Sequence, residues 1–357
     1  MILGGLTEHQ LCQINTSLRK VLLKMSNTTT NTALNDETQS IILFNLLIKT
    51  FAQCLDGFSW IMGNIGAICT CIVFSQPTFR KSPCAIYFIA SSLSQILVFN
   101  FAVFIRMIQY GYAVPVNSVP SWFCKMRFYI FYVSAATARY NIIFASADRY
   151  LCSCRDALRR HWSSTKMAFR LIVLVLVVWL LFYIQVLVFT DVKNDKCRIW
   201  DTSIMTYLSY FITVENGFFP IFPMLIFGLL TIRNIHGSQR TVAVRDNSMA
   251  QSVQTERSTR KETHLHKMLF SQVILFVISN IPYPVYSIYR SYAGVSSFTG
   301  SRVLMDTFIN NLLYDMVYLG FALTFPNFLL TSKMFRREFL QVLQTKIVQR
   351  CRRLMTA

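Results

Sequence analysis

The chain has 357 residues, of which 54% are apolar, 14% aromatic and only 14% charged. A soluble chain of this length carries about 25% charged residues, and the apolar residues here gather in blocks far longer than a buried strand or an ordinary core helix. That distribution argues against one large soluble domain. A formal net charge of +19 does not point to nucleic acid either, because there is no zinc-finger spacing and no aromatic-basic array of the kind that grips bases.

Where the basic residues fall is more informative than their sum. Of 35 Lys and Arg, 22 lie in segments 75–82, 149–170, 232–268 and 331–357, and eleven in the alternate segments 1–57, 105–125, 190–203 and 288–303. If seven helices cross a bilayer, the first set is cytosolic, and the positive-inside bias predicts an outside N-terminus and a cytoplasmic C-terminus. The expected organisation is an extracellular tail over 1–46, a seven-span bundle over 47–331, and an amphipathic helix with a cytoplasmic tail over 332–357.

Residues 1–40 are polar, with no cleavable-signal pattern. Asn15-Thr16-Ser17 and Asn27-Thr28-Thr29 match the glycosylation acceptor triplet, so Asn15 and Asn27 are candidate sites if the tail is extracellular. The first span covers about 47–74. In it, Gly63 and Gly66 allow a close helix approach, and Asn64 needs a hydrogen-bond partner across the bundle. Span two, about 83–105, carries a polar streak of Ser91, Ser92, Ser94 and Gln95, suited to interhelical hydrogen bonding.

Span three enters at Cys124 and ends in Asp148-Arg149-Tyr150. A helix from Cys124 to Arg149 is roughly 37 Å long, enough to cross a bilayer. Arg139 falls near mid-depth, where a charge is expensive and normally faces the interior with a partner. Glu215 in span five and Asp315 in span seven are its candidate partners, with hydration in an internal cavity or snorkelling to the interface as the alternatives. Span four covers about 169–190 and includes Trp179; a short polar segment with Cys197 follows. Span five, about 205–231, contains Pro220 and Pro223, each of which frees a helix carbonyl and favours a kink. The polar segment 233–266 reads as a mobile cytosolic loop.

Span six, about 267–289, holds Phe276, Asn280, Pro282 and Pro284, and the two prolines make a hinge plausible. Span seven, about 304–330, ends in LTFPNFLLTSKMFRREF. Residues 333–350 then read as an amphipathic helix, with Met334, Phe335, Phe339, Leu340 and Leu343 set against Lys333, Arg336, Arg337 and Lys346. Cys351, among Arg350, Arg352 and Arg353, is a candidate palmitate site.

A cysteine and a D-R-Y triplet whose arginine lies twenty-five residues later, inside one apolar span among six others, resembles the rhodopsin-like (class A) seven-transmembrane G-protein-coupled receptors. Gly63-Asn64 and Trp179 are similar to that family's first- and fourth-helix signatures. FRKSPCAIYFIASS, IFGLLTIRNI and SKMFRREF give the look of a divergent invertebrate orphan branch near the peptide receptors. The resemblance implies an all-α membrane bundle of seven helices with a short C-terminal amphipathic helix, and a disulfide from Cys124 to Cys197. It implies a multi-pass plasma-membrane protein that passes binding of an extracellular ligand to a heterotrimeric G protein. On this view Asp148, Arg149, Tyr150, Phe276, Pro282 and Phe328 carry coupling and activation.

The chain also departs from the family pattern. Gln95 stands where most members have a sodium-binding acid, and Gly228 where an activation tyrosine is usual. In the sixth-helix motif Ser279 and Asn280 replace the cysteine and tryptophan. The N-P-x-x-Y motif falls on Thr324, Phe325 and Phe328, with the proline displaced to Pro326. Phe131 stands where amine receptors have an aspartate, which disfavours a biogenic amine; the resemblance to the branch near the peptide receptors implies a peptide as the ligand class to expect. The alternative function is a receptor-like protein that has lost G-protein coupling. A transporter is disfavoured by the lack of internal repeats, and a channel by the lack of a pore loop. No enzymatic reaction, metal or cofactor is expected, since His9, His161, His236, His264 and His266 all lie outside the spans and no Ser/His/Asp set exists.

Overall fold

The computed structural model describes residues 31–112, 120–154, 156–193, 196–199, 201–242, 249–292 and 300–355. Asn15 and Asn27 lie outside the described residues, as does the side chain of Cys351. Eight long helices account for nearly all that is described. Helix α1 runs Asn31–Phe51, passes through a π turn at Ala52–Asp56 and continues as Gly57–Phe74. Helix α2 runs Pro83–Val98 and continues through π turns at Phe99–Val103 and Met107–Gly111. Helix α3 is Ser121–Ser153. Helix α4 is Thr165–Phe182 with a second part Ile184–Phe189, and α5 is Thr202–Thr213, a π turn at Val214–Phe218, then Phe219–Val242. Helix α6 has two parts, Met249–Asn280 and Pro282–Tyr292. Helix α7 has parts Ser301–Ala322 and Thr324–Thr331, and α8 is Lys333–Met355.

Helix starts follow local chemistry. Pro83 occupies the first turn of α2, where its missing N–H is no loss. The Ser164 hydroxyl accepts from the Met167 N–H at the start of α4, and Asp201 accepts from the Ile204 N–H at the start of α5. The interruptions follow the prolines. Pro282 opens the second part of α6, and α7 bends by 47° at Leu323, three residues before Pro326. In α5 the π turn at Val214–Phe218 ends two residues before Pro220.

Five helical stretches are long and apolar enough to cross a membrane, or six if the bent α7 is one span. They are Thr38–Phe74, Pro83–Gly111, Thr165–Phe189, Thr206–Asn234, His264–Arg290 and the bent pair Arg302–Ala322 with Thr324–Thr331. Helix α3 is long enough at 33 residues. Five charged residues, Lys125, Arg127, Arg139, Asp148 and Arg149, lie along it, in keeping with its central place. It packs against α2, α4, α5 and α6, and fifteen of its residues are buried. Helix α4 is the peripheral counterpart: Leu174, Val177, Val178 and Leu181 are exposed together, an apolar face suited to lipid.

Three features differ from the sequence expectation. A two-stranded antiparallel hairpin, β1 Thr190–Lys193 and β2 Lys196–Ile199, adds strand to an otherwise helical chain, with Val192 opposite Cys197. The helix that holds the first span is already present at Asn31 and so extends N-terminal of the expected span 47–74. Much of 233–266 is helical, because α5 reaches Val242 and α6 starts at Met249. That segment contains a single glycine and no proline to stop a helix.

Candidate functional site

One end of the bundle carries the Cys124–Cys197 disulfide, which ties β2 to the start of α3 with Cα atoms 6.0 Å apart. At the opposite end of α3, Arg149 Nη2 donates to Asp148 Oδ2 at 2.6 Å. Both side chains are buried, at 2% and 5% exposure. The pair is held on two sides: the Ser163 hydroxyl donates to Asp148 Oδ1 at 2.6 Å, and Arg149 reaches Ser82 Oγ at 3.4 Å. The preceding loop of α2 and the connection from α3 to α4 therefore grip the same two residues. Tyr150 turns the other way, its ring 5.7 Å from Phe227 of α5.

Midway along α3, Arg139 donates to both oxygens of Glu215, at 3.1 and 2.9 Å, with each side chain 3% exposed. The Tyr183 hydroxyl donates to the same carboxylate at 3.3 Å. One acid in the π turn of α5 thus joins α3, α4 and α5. Asp315 is not part of this group. It pairs with Arg106 near the disulfide end, Nε to Oδ1 at 3.1 Å, with Asp56 of α1 3.5 Å from the same nitrogen.

Residues the sequence reading singled out elsewhere form smaller interhelical contacts. Asn64 accepts from Asn100 Nδ2 at 2.9 Å, while Trp60 Nε1 donates to Asn100 Oδ1 at 3.1 Å, linking α1 to α2. Gln95 donates to the Ser91 hydroxyl at 3.2 Å, and Ser91 donates to the Ala138 carbonyl of α3 at 2.9 Å. Phe276 is buried, and Phe328 is fully buried among Phe74, Phe88 and Phe335. Phe335 of α8 enters this core, with Met334 and Phe339 packed against it, while Leu340 and Leu343 of the same helix are exposed. Asn280 donates to the Phe276 carbonyl at 3.0 Å and to Ser279 Oγ at 3.0 Å, beside the break before Pro282.

Around that break the helices are in close contact. A methyl group on Gly217 of α5 would overlap the Pro284 ring, and one on Gly320 of α7 would overlap the Ser279 side chain. Below it, Gln272 Nε2 donates to Thr324 Oγ1 at 3.1 Å and Asn327 Nδ2 to Gln272 Oε1 at 3.2 Å, while the Ser271 hydroxyl donates to Asn327 Oδ1. Thr324 and its neighbours therefore bond α7 to α6 where the tyrosine hydroxyl is missing.

Sequence reasoning missed a second ionic group at the disulfide end. Arg290 of α6 pairs with Asp306 of α7, Nη2 to Oδ2 at 2.8 Å and Nε to Oδ1 at 3.0 Å. Tyr286 donates to Asp306 and Arg290 donates to Asn310. Arg106 and Arg290 sit just beyond the expected spans and read as loop charges, whereas Asp56 and Asp306 lie inside the expected first and seventh spans and were passed over as interior acids. The helical spacing of Tyr286 to Arg290 and of Asp306 to Asn310, each i to i+4, was the available signal.

No metal-binding group of three or more His, Cys, Asp or Glu exists among the described residues. The profile of the family described as 7 transmembrane receptor (rhodopsin family) matches residues 63–321. No curated protein matches the chain.

Proposed function

The chain belongs to the rhodopsin family of seven-transmembrane receptors, and we propose that it carries the binding of an extracellular ligand to a heterotrimeric G protein across the plasma membrane. Its role is that of a membrane receptor and signal transducer, not an enzyme. On this reading α1–α7 all cross, with the disulfide end outside and the Asp148–Arg149 end in the cytosol. Helix α8 lies on the inner leaflet, Asn15 and Asn27 are glycosylated, and Cys351 is a palmitate site. The likeness of FRKSPCAIYFIASS, IFGLLTIRNI and SKMFRREF to an invertebrate branch near the peptide receptors favours a peptide ligand and an invertebrate origin, and Phe131, which provides no acid for an amine, disfavours a biogenic amine.

The observation that carries this reading is the buried Asp148–Arg149 pair. A buried guanidinium held by one carboxylate defines a closed state. If the part of α6 below Pro282 swings outward, Arg149 lines the cavity opened between the cytosolic ends of α3, α5 and α6. A ligand acts to the extent that it binds the open state more tightly than the closed one. The polar bonds from Gln272 to Thr324 and Asn327 support retention of a coupled α6–α7 movement over a receptor-like protein that no longer signals.

Ligand-free G-protein activation in cells tests the proposal. Asp148→Asn should raise it, because a closed state favoured by about 1–2 kcal/mol becomes nearly evenly populated when a pair of that strength is lost. Arg149→Ala should reach the surface but not couple, whereas Arg159→Ala, at an exposed position, should change little. An Arg149→Ala chain that couples as well as the unmodified one overturns the mechanism.

A further inference from the structure

Five arginines among the described residues are shielded from full solvent exposure: Arg106, Arg127, Arg139, Arg149 and Arg290. Four of them have carboxylates, namely Asp315 with Asp56, Glu215, Asp148 and Asp306. Arg127 has none. Its Nη1 is buried with no hydrogen-bond partner, and the ionisable groups that act on it are the phenols of Tyr110 and Tyr318, with no acid among them. The Phe128 ring covers the guanidinium at 4.6 Å, which favours a cation there but leaves the charge unneutralised. A shielded guanidinium in a membrane bundle needs a counter-charge or water. This fold supplies a carboxylate for each of the other four.

Location makes the vacancy useful. Arg127 is one helical turn inward from Cys124, so the disulfide holds its helix in place. Tyr110 belongs to α2 and Tyr318 to α7, so the guanidinium lies within electrostatic reach of both helices. The aromatic rings of Phe131 and Tyr318 stand 6.2 Å apart on the same helices, and the Tyr283 hydroxyl donates to Tyr314 at 2.7 Å on the α6–α7 side. A cation among aromatic faces suits an anion attached to an apolar or aromatic body.

We propose that Arg127 is the anchor for a carboxylate of the extracellular ligand, with the α2, α3 and α7 aromatics receiving the apolar part next to it. This rests on the receptor reading above for the outer location of the site. A forked guanidinium with a free N–H pairs with a carboxylate by charge-assisted hydrogen bonds, which an amide cannot replace. The carboxylate can be that of a small aromatic acid or of a peptide C-terminus.

Thermal unfolding of the purified full chain in detergent tests this without any G protein, so loss of coupling does not affect the result. The probes are 3-phenylpropanoate and its amide, and acetyl-Gly-Gly-Phe as the free acid and as the amide, each at millimolar concentration. A compound that binds only the folded state raises Tm. Each acid should raise Tm by about 2 °C or more and its amide should not. The larger shift of the two acids identifies the small acid or the peptide terminus as the better mimic. Arg127→Gln should abolish the shift, Lys125→Gln should keep it, and Arg127→Lys should retain part of it, which covers the case in which the glutamine variant does not fold. Equal shifts by acid and amide, no shift in the unmodified chain, or an undiminished shift in Arg127→Gln would each overturn the assignment.

Discussion

A charge inside an apolar run is legible at the scale of one residue, because its cost demands a partner wherever the chain folds. Arg139 is such a case: that it needed an acid could be read from its position, and which acid could not. Glu215 and Asp315 are both interior acids, and the choice depends on how the π turn at Val214–Phe218 rotates α5. Glu215 is the partner, held by two bonds from Arg139 and one from Tyr183. Arg139→Leu should therefore leave a buried, uncompensated carboxylate and lower stability by about 3–5 kcal/mol. Adding Glu215→Gln should recover part of that loss, since the stranded charge is gone. Adding Asp315→Asn should recover none and should add its own loss, because Asp315 serves Arg106. Melting curves of the single and double variants in detergent check this. Recovery in the Asp315 double variant instead would mean that the pairing seen here is wrong.

Elements were legible to the extent that their punctuation lies in the sequence. Pro282 and Pro326 mark the interruptions of α6 and α7, and both helices break beside them. The hairpin β1–β2 was hidden because its strands, TDVK and KCRI, have four residues each, too few to show a clear alternation. Its register is set by an element distant in sequence, since Cys197 is bonded to Cys124, 73 residues earlier. The Cys124→Ser and Cys197→Ser variants should each reduce surface expression, with a stability loss of about 2–5 kcal/mol, and the double variant should be no worse than either single one. Additive losses would show that the two thiols act separately. The α6 interruption suggests a packing test as well. Gly320→Ala places a methyl group against Ser279 of α6, and over-packing of this kind lowers stability by about 1–3 kcal/mol. Gly228→Ala, in open space on α5, should melt within about 0.5 kcal/mol of the unmodified chain. A smaller effect at Gly320 than at Gly228 would contradict the close contact of α6 and α7.

For the whole molecule, composition alone stops short of the architecture. Six stretches meet the length and apolarity expected of a crossing helix when the bent α7 is taken as one. Helix α3 does not, because its polar residues serve the interior: Arg139 is buried against Glu215, and Asp148 and Arg149 against each other. The residues that make α3 the centre of the bundle are the ones that weaken its hydropathy signal. Charge asymmetry is a second guide, with 22 basic residues in one set of alternate segments and eleven in the other, and under the positive-inside bias it fits a topology in which α3 crosses. A direct test places one cysteine in the first turn of the helix and one beyond its last residue, in a Cys54→Ser background that removes an exposed thiol. Trp122 and Leu158 are suitable because they are 66% and 71% exposed. Trp122→Cys should react with a membrane-impermeant maleimide on intact cells, and Leu158→Cys only after permeabilisation. Tags at residues 2 and 356 should likewise be reached by antibody from opposite sides. If both cysteines react from the outside, α3 does not cross. The chain then crosses an even number of times, the tags fall on one face, and Arg149 cannot meet a cytosolic partner while Cys124 and Cys197 stay on the oxidising side.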